Sequence, residues 1–145
     1  MTALSVRRID PATVTTQALD DDNVRTMTVT FAHITFDAVD AQALATFWAA
    51  ALGQRVDDGA EVWFASINFR PGGGVGPAWL FTQVPEAKTA KNRMHLDLLC
   101  EDRDLEAQRL VDLGATKVRE VDEWEHQWIV MADPERNEFC ISNAH

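Results

Sequence analysis

Cysteine is scarce in this chain of 145 residues. Only Cys100 and Cys140 occur, both in apolar, strand-like surroundings. Two cysteines do not make a disulfide framework, and both read as reduced packing residues. Long hydrophobic runs are also missing: none approaches the roughly 20 apolar residues that a bilayer-spanning helix needs. The opening stretch, MTALSVRRIDPATVTTQALDDDN, has arginines but no apolar segment behind them. It does not resemble a signal peptide, and a cytoplasmic location is expected. Basic residues are the minority, 13 against 23 acidic, for a net charge of -10. No lysine and arginine stripe is visible, so nucleic acid is not an expected partner. An acidic surface tolerates a cationic small molecule better than an anionic one, although such charge also serves solubility alone.

The composition that remains, 46% hydrophobic and 25% charged, is that of a soluble globular domain. Residues 1–26 are polar and carry a DDDN cluster, and they read as a flexible N-terminal extension. A single domain is expected over 27–145, in two modules of about 27–86 and 91–145.

In the first module, MTVTFAHITFDA alternates and is rich in β-branched residues, as a strand does. DAQALATFWAAALG places Leu44, Phe47, Trp48, Ala51 and Leu52 on one helix face, with Asp40 as N-cap and Gly53 as stop. EVWFASINF and AWLFTQVPE read as strands. RPGGGVGP between them is a hairpin loop, because it matches neither GxxxxGK[ST] nor GxGxxG and no helix follows it. The second module runs RMHLDLLC as strand, EDRDLEAQRLVDLGA as helix with Asp102 as N-cap and Gly114 as stop, then the strands TKVREV, HQWIVMAD and NEFCIS.

Laid on one another, the halves match. His33 opens HITFDAVD and His95 opens HLDLLCED, and Asp40 and Asp102 each follow seven positions later. Self-similarity of this kind marks a duplicated unit, read as β–α–β–β–β. A lone histidine in an apolar strand is ordinarily a hydrogen-bonded core residue, but two at equivalent positions face a shared space. Glu138 in NEFCIS shares a face with Cys140 and Ser142 by alternation. Two imidazoles and a carboxylate, His33, His95 and Glu138, form a facial set for a divalent iron, manganese, zinc or nickel ion. Five tryptophans stand against no tyrosine. Trp63, Trp79 and Trp128 lie on strands and are candidates for an aromatic wall or for packing. EAKTAKNR reads as the linker between modules, and His126 as a surface residue near the pocket mouth.

The segments HITFDAVDAQALATFWAAALGQ, QVPEAKTAKNRMHLDL, LGA and MADPERNEFCI resemble the vicinal-oxygen-chelate superfamily, the glyoxalase, bleomycin-resistance and extradiol-dioxygenase group. The resemblance covers roughly residues 30–143. It implies an α+β fold of two βαβββ modules, a curled mixed sheet around a cleft with helices on the outer face, and a homodimer. It also implies that His33, His95 and Glu138 match the metal-ligand positions. The chain departs from the pattern twice. Glyoxalase-type sites take a fourth ligand from the last strand of the first half, where AWLFTQV offers Trp79, Phe81 and Gln83 but no carboxylate. The turn usually written Asp-Pro-x-Gly-Asn has Arg136 in place of glycine.

These readings lead to two functions, beside a third reading as a non-catalytic structural or regulatory domain with neither metal nor ligand. One is a metal-dependent lyase, isomerase or dioxygenase acting on a small molecule, with Trp63, Trp79, Phe81, Gln83 and Trp128 around the substrate. The other is a metal-free protein of the bleomycin-resistance type that sequesters a small molecule. No membrane partner is expected for either.

Overall fold

The computed structural model describes residues 31–69 and 76–144. The proposed N-terminal extension, the start of the first strand and most of the RPGGGVGP loop lie outside them. The first module runs β1 (His33–Ala38), α1 (Ala41–Ala51), β2 (Phe64–Ile67) and β3 (Ala78–Gln83). The second runs β4 (Asp97–Cys100), α2 (Arg103–Asp112), β5 (Thr116–Glu123), β6 (His126–Ala132) and β7 (Glu138–Asn143). No helix among these is long and apolar enough to cross a membrane.

The fold is α+β, and its duplication is visible in the pairing. β1 lies parallel to β3, and β3 antiparallel to β2. β4 lies parallel to β7, followed antiparallel by β6 and β5. The modules form separate sheets of three and four strands, ordered β1-β3-β2 and β4-β7-β6-β5, rather than one curled sheet. Among the described residues the first module is also one strand short of βαβββ. Its counterpart of β5 would fall in QRVDDGA, which carries two aspartates and a glycine at φ +87°. There Asp57 turns its carboxylate to the Ser66 hydroxyl at 2.7 Å and the Phe69 N–H at 3.0 Å. Local side-chain bonding of this kind competes with a ladder.

Both helices start where the sequence predicts. The Asp40 carboxylate accepts from the Ala43 N–H at 2.9 Å, and the Asp102 carboxylate from the Asp104 and Leu105 N–H groups at 3.0 Å. Each satisfies amide donors that the first helical turn leaves open. Gly53 and Gly114 follow the helices with φ of +63° and +114°, a region that favours glycine.

One continuous core joins the modules. Trp48 of α1 packs on Trp79 and Phe36 of its own module and on Phe139 of the other. Its indole N–H donates to the buried Asp133 carboxylate at 3.1 Å. That carboxylate also accepts from the Glu135 N–H and from the backbone and side chain of Asn137. Burial pushes the Asp133 carboxyl above the usual range, and these donors oppose the rise.

The second module also brackets α1 at both ends. Glu135 accepts from the Val39 and Asp40 N–H groups at 2.7–3.0 Å. The Arg109 guanidinium donates to the Ala50 and Ala51 carbonyls at 3.2 and 2.7 Å. Anion at the N-terminus and cation at the C-terminus both oppose the helix dipole. The helices thus cover one face of each sheet and leave the other for a site.

Candidate metal and ligand site

The open face of the second sheet is built by alternation. In β7, Glu138, Cys140 and Ser142 point one way while Phe139 and Ile141 enter the core. Strand pairing carries that face outward: Asp97 pairs with Cys140, Val130 with Cys140, Trp128 with Ser142 and Arg119 with Val130. Residues in register on neighbouring strands share a face. Over this face lies a cavity of about 590 Å³, walled by His95, Asp97, Arg119, Trp128, Glu138 and Cys140 among others.

His95 stands just before β4, at the mouth of the strand rather than inside it. Its Nδ1 lies 3.2 Å from the Asp97 carboxylate and 3.8 Å from the Cys140 sulfur. Glu138 is held from the linker side: its Oε2 accepts from the Asn92 N–H at 3.0 Å and pairs with the Lys88 ammonium at 3.1 Å. Burial works to raise the Glu138 carboxyl, but these bonds outweigh it and hold the group below the usual glutamate range. Cys140 moves the other way: burial, and then Asp97 beside it, push its thiol up to about 11. Lys91 and Arg119 stand in the same walls as Asp97 and Glu138, so the cavity carries both signs of charge and is not simply acidic.

The structure brings together only part of the expected set. His95 and Glu138 line the same cavity. His33 does not line it: it opens β1 on the exposed face of the first sheet, edge-on to Phe69 with ring centres 6.0 Å apart. Within one chain, the ligand atoms of His33, His95 and Glu138 do not all come within 4.8 Å of one another. Residues 34–37 of β1 do reach the second module, sharing with His95 and Glu138 a hollow of about 250 Å³ between the sheets.

The aromatic candidates separate. Trp128 is half-buried in the cavity wall. Trp63 is 64% exposed in the turn before β2. Trp79 and Phe81 belong to the core at 4% and 0% exposure, stacked with Phe36 under α1. Their strand runs with the opposite phase from the one its sequence suggested. His33, Thr35 and Asp37 pair with Ala78, Leu80 and Thr82, and it is those three that share the face of His33. Gln83 donates to the Val39 carbonyl at 2.9 Å, closing the entry to α1. His126, read as a surface residue, lines the cavity. The sequence reading missed Asp97, although its two-residue spacing from His95 carries the signal.

The fold and its internal duplication are shared with proteins of the glyoxalase, bleomycin-resistance and fosfomycin-resistance group. More narrowly, the chain belongs to the glyoxalase-like domain family, whose model matches residues 33–142. Among the solved structures that share the fold are the following three. A glyoxalase/bleomycin resistance protein/dioxygenase family enzyme from Burkholderia phytofirmans PsJN is 17% identical, with 81% of this chain and 100% of that one covered and a TM-score of 0.63. A mutant of the fosfomycin resistance protein FosX from Listeria monocytogenes, complexed with Mn(II) and 1S,2S-dihydroxypropylphosphonic acid, is 15% identical over 80% and 90%, with a TM-score of 0.63. The bleomycin-binding protein from Streptomyces verticillus, complexed with copper(II)-bleomycin, is 16% identical over 82% and 99%, with a TM-score of 0.55. At these identities the likeness is one of fold. No match is found among curated proteins.

Proposed function

We propose that this protein is a glyoxalase-like, metal-dependent enzyme acting on a small molecule held in the 590 Å³ cavity. The observation that carries the reading is that His95 and Glu138 wall one cavity. Imidazole and carboxylate are donors suited to a divalent iron, manganese, zinc or nickel ion, so the two residues fit such a group. One chain supplies two of the three donors. His33 on an exposed strand is the third, contributed by a second copy in a homodimer. Bound there, the cation supplies Lewis acidity toward a substrate oxygen. The chain's own groups do the rest. Lys88 and the Asn92 N–H orient Glu138 and keep it ionised. Trp128 gives the ligand a flat apolar wall, and Lys91 and Arg119 offer cationic hydrogen-bond donors. Two free thiols suit a cytoplasmic setting.

The test is manganese retention by the metal-stripped full chain. Wild type is expected to hold stoichiometric metal, and His33→Ala, His95→Ala and Glu138→Gln each to lose it. A wild-type protein that takes up no manganese overturns the reading.

One observation favours the second reading, a metal-free protein that sequesters a small molecule: Lys88 already balances the Glu138 charge. A sequestering protein keeps most of its ligand affinity in His95→Ala, whereas an enzyme loses turnover.

A further inference from the structure

Beside the His95 and Glu138 pair, the cavity floor holds a second donor set of different chemistry. His95 Nδ1, an Asp97 carboxylate oxygen and Cys140 Sγ lie within 4.8 Å of one another. They come together because β4 and β7 run parallel in register, placing Asp97 directly across from Cys140, with His95 two residues back on the same face. The Nδ1 to carboxylate distance is 3.2 Å and the Nδ1 to sulfur distance is 3.8 Å. Around a tetrahedral ion with bonds of about 2.0–2.3 Å, ligand atoms stand about 3.3–3.6 Å apart. The two separations from Nδ1 thus already lie within a few tenths of an ångström of that spacing.

We propose that His95, Asp97 and Cys140 form a site for a thiophilic divalent cation of the zinc class, with its open position facing the cavity. The donor set is nitrogen, oxygen and sulfur, which selects zinc and its soft neighbours over magnesium, calcium or manganese. Binding would release the Cys140 thiol proton to solvent, while the His95 ring in its Nε2–H tautomer would offer the Nδ1 lone pair to the cation. Asp97, which opposes an unaccompanied thiolate, becomes a co-ligand once a dication sits between them.

The site goes beyond the proposed enzyme activity. It shares only His95 with the other set, uses that ring's Nδ1, and needs no second copy. A thiophilic cation held here competes for His95 and so excludes the other metal.

Cobalt(II) is the probe, added to the metal-stripped full chain. The expected result is a thiolate-to-cobalt charge-transfer band saturating at about one cobalt per chain, as a three-donor site predicts. Cys140→Ser abolishes the band and Asp97→Asn, at an exposed position, weakens binding at least tenfold. Cys100→Ser, His33→Ala and Glu138→Gln keep the band. Absence of the band in wild type, or its survival in Cys140→Ser, overturns the proposal. So does its loss in His33→Ala or Glu138→Gln. Manganese retention remains a separate readout, so the enzyme reading can fail while this site stands, and the reverse.

Discussion

Single side chains fix both the join between modules and its weak point. Asp133 is 2% exposed and gathers hydrogen bonds from α1, from Glu135 and from Asn137. Asp133→Asn puts an amide N–H₂ where a carboxylate oxygen now accepts, leaving buried donors facing a donor. A loss of about 2–3 kcal/mol is expected from denaturant midpoints, the cost of unsatisfied buried polar groups. Arg136 shows the reverse. The turn DPERN holds it at φ +69°, a conformation that L side chains avoid and that the glycine usual at this position adopts freely. Arg136→Gly is expected to stabilise the protein by about 0.5–1 kcal/mol, less than the full left-handed cost because glycine also loosens the unfolded chain. A midpoint that falls instead would mean that the arginine side chain contributes more than its backbone strain removes.

At the scale of elements, α1 depends on the other module for both of its ends. Arg109 donates to the Ala50 and Ala51 carbonyls while Glu106 grips its guanidinium at 2.6 and 2.9 Å. Arg109→Ala is expected to cost about 1–2 kcal/mol, two carbonyl bonds and a favourable dipole contact. The pair also has a pH signature. The hydrogen bond from Arg109 holds the Glu106 carboxyl below its ordinary value. A carboxyl lowered on folding contributes stability that is present above its unfolded pKa and is lost as pH falls through the folded one. The stability gap between wild type and Glu106→Gln is therefore expected to shrink on acidification, as thermal melts across the acid range would record. Helices were the most legible elements, because Asp40, Asp102, Gly53 and Gly114 punctuate them chemically. The phase of β3 was not. Ala78, Trp79, Leu80 and Phe81 are apolar in succession, so alternation carries no signal there, and only the pairing with β1 decides that the two rings enter the core.

For the whole molecule, the duplicated histidines were legible and their meeting was not. The equivalence of His33 and His95 is a property of two modules, each readable along the chain. Where the modules face is set by Trp48 packing on Phe139 and by Glu135 and Arg109 clasping α1, contacts that join residues 58 to 96 positions apart. That docking spends the helix-covered faces on the core and leaves His33 itself outside the cavity that His95 and Glu138 line. The proposed symmetric dimer would resolve this, since a two-fold axis that brings His33 of one copy to the cavity of the other would create two identical sites. The arrangement has a consequence that no single-chain site shares. On that proposal, His33→Ala and His95→Ala chains are each expected to lack manganese binding when pure, whereas a mixed dimer would contain one intact site, built from the His33 of one chain and the His95 and Glu138 of the other. Random reassociation of equal amounts is expected to restore about a quarter of wild-type manganese capacity, because about half the dimers are mixed and each has one working site of two. If the mixture stays as empty as its components, the cross-copy site is wrong. If His33→Ala alone binds manganese as wild type does, the metal needs only groups that one chain already holds.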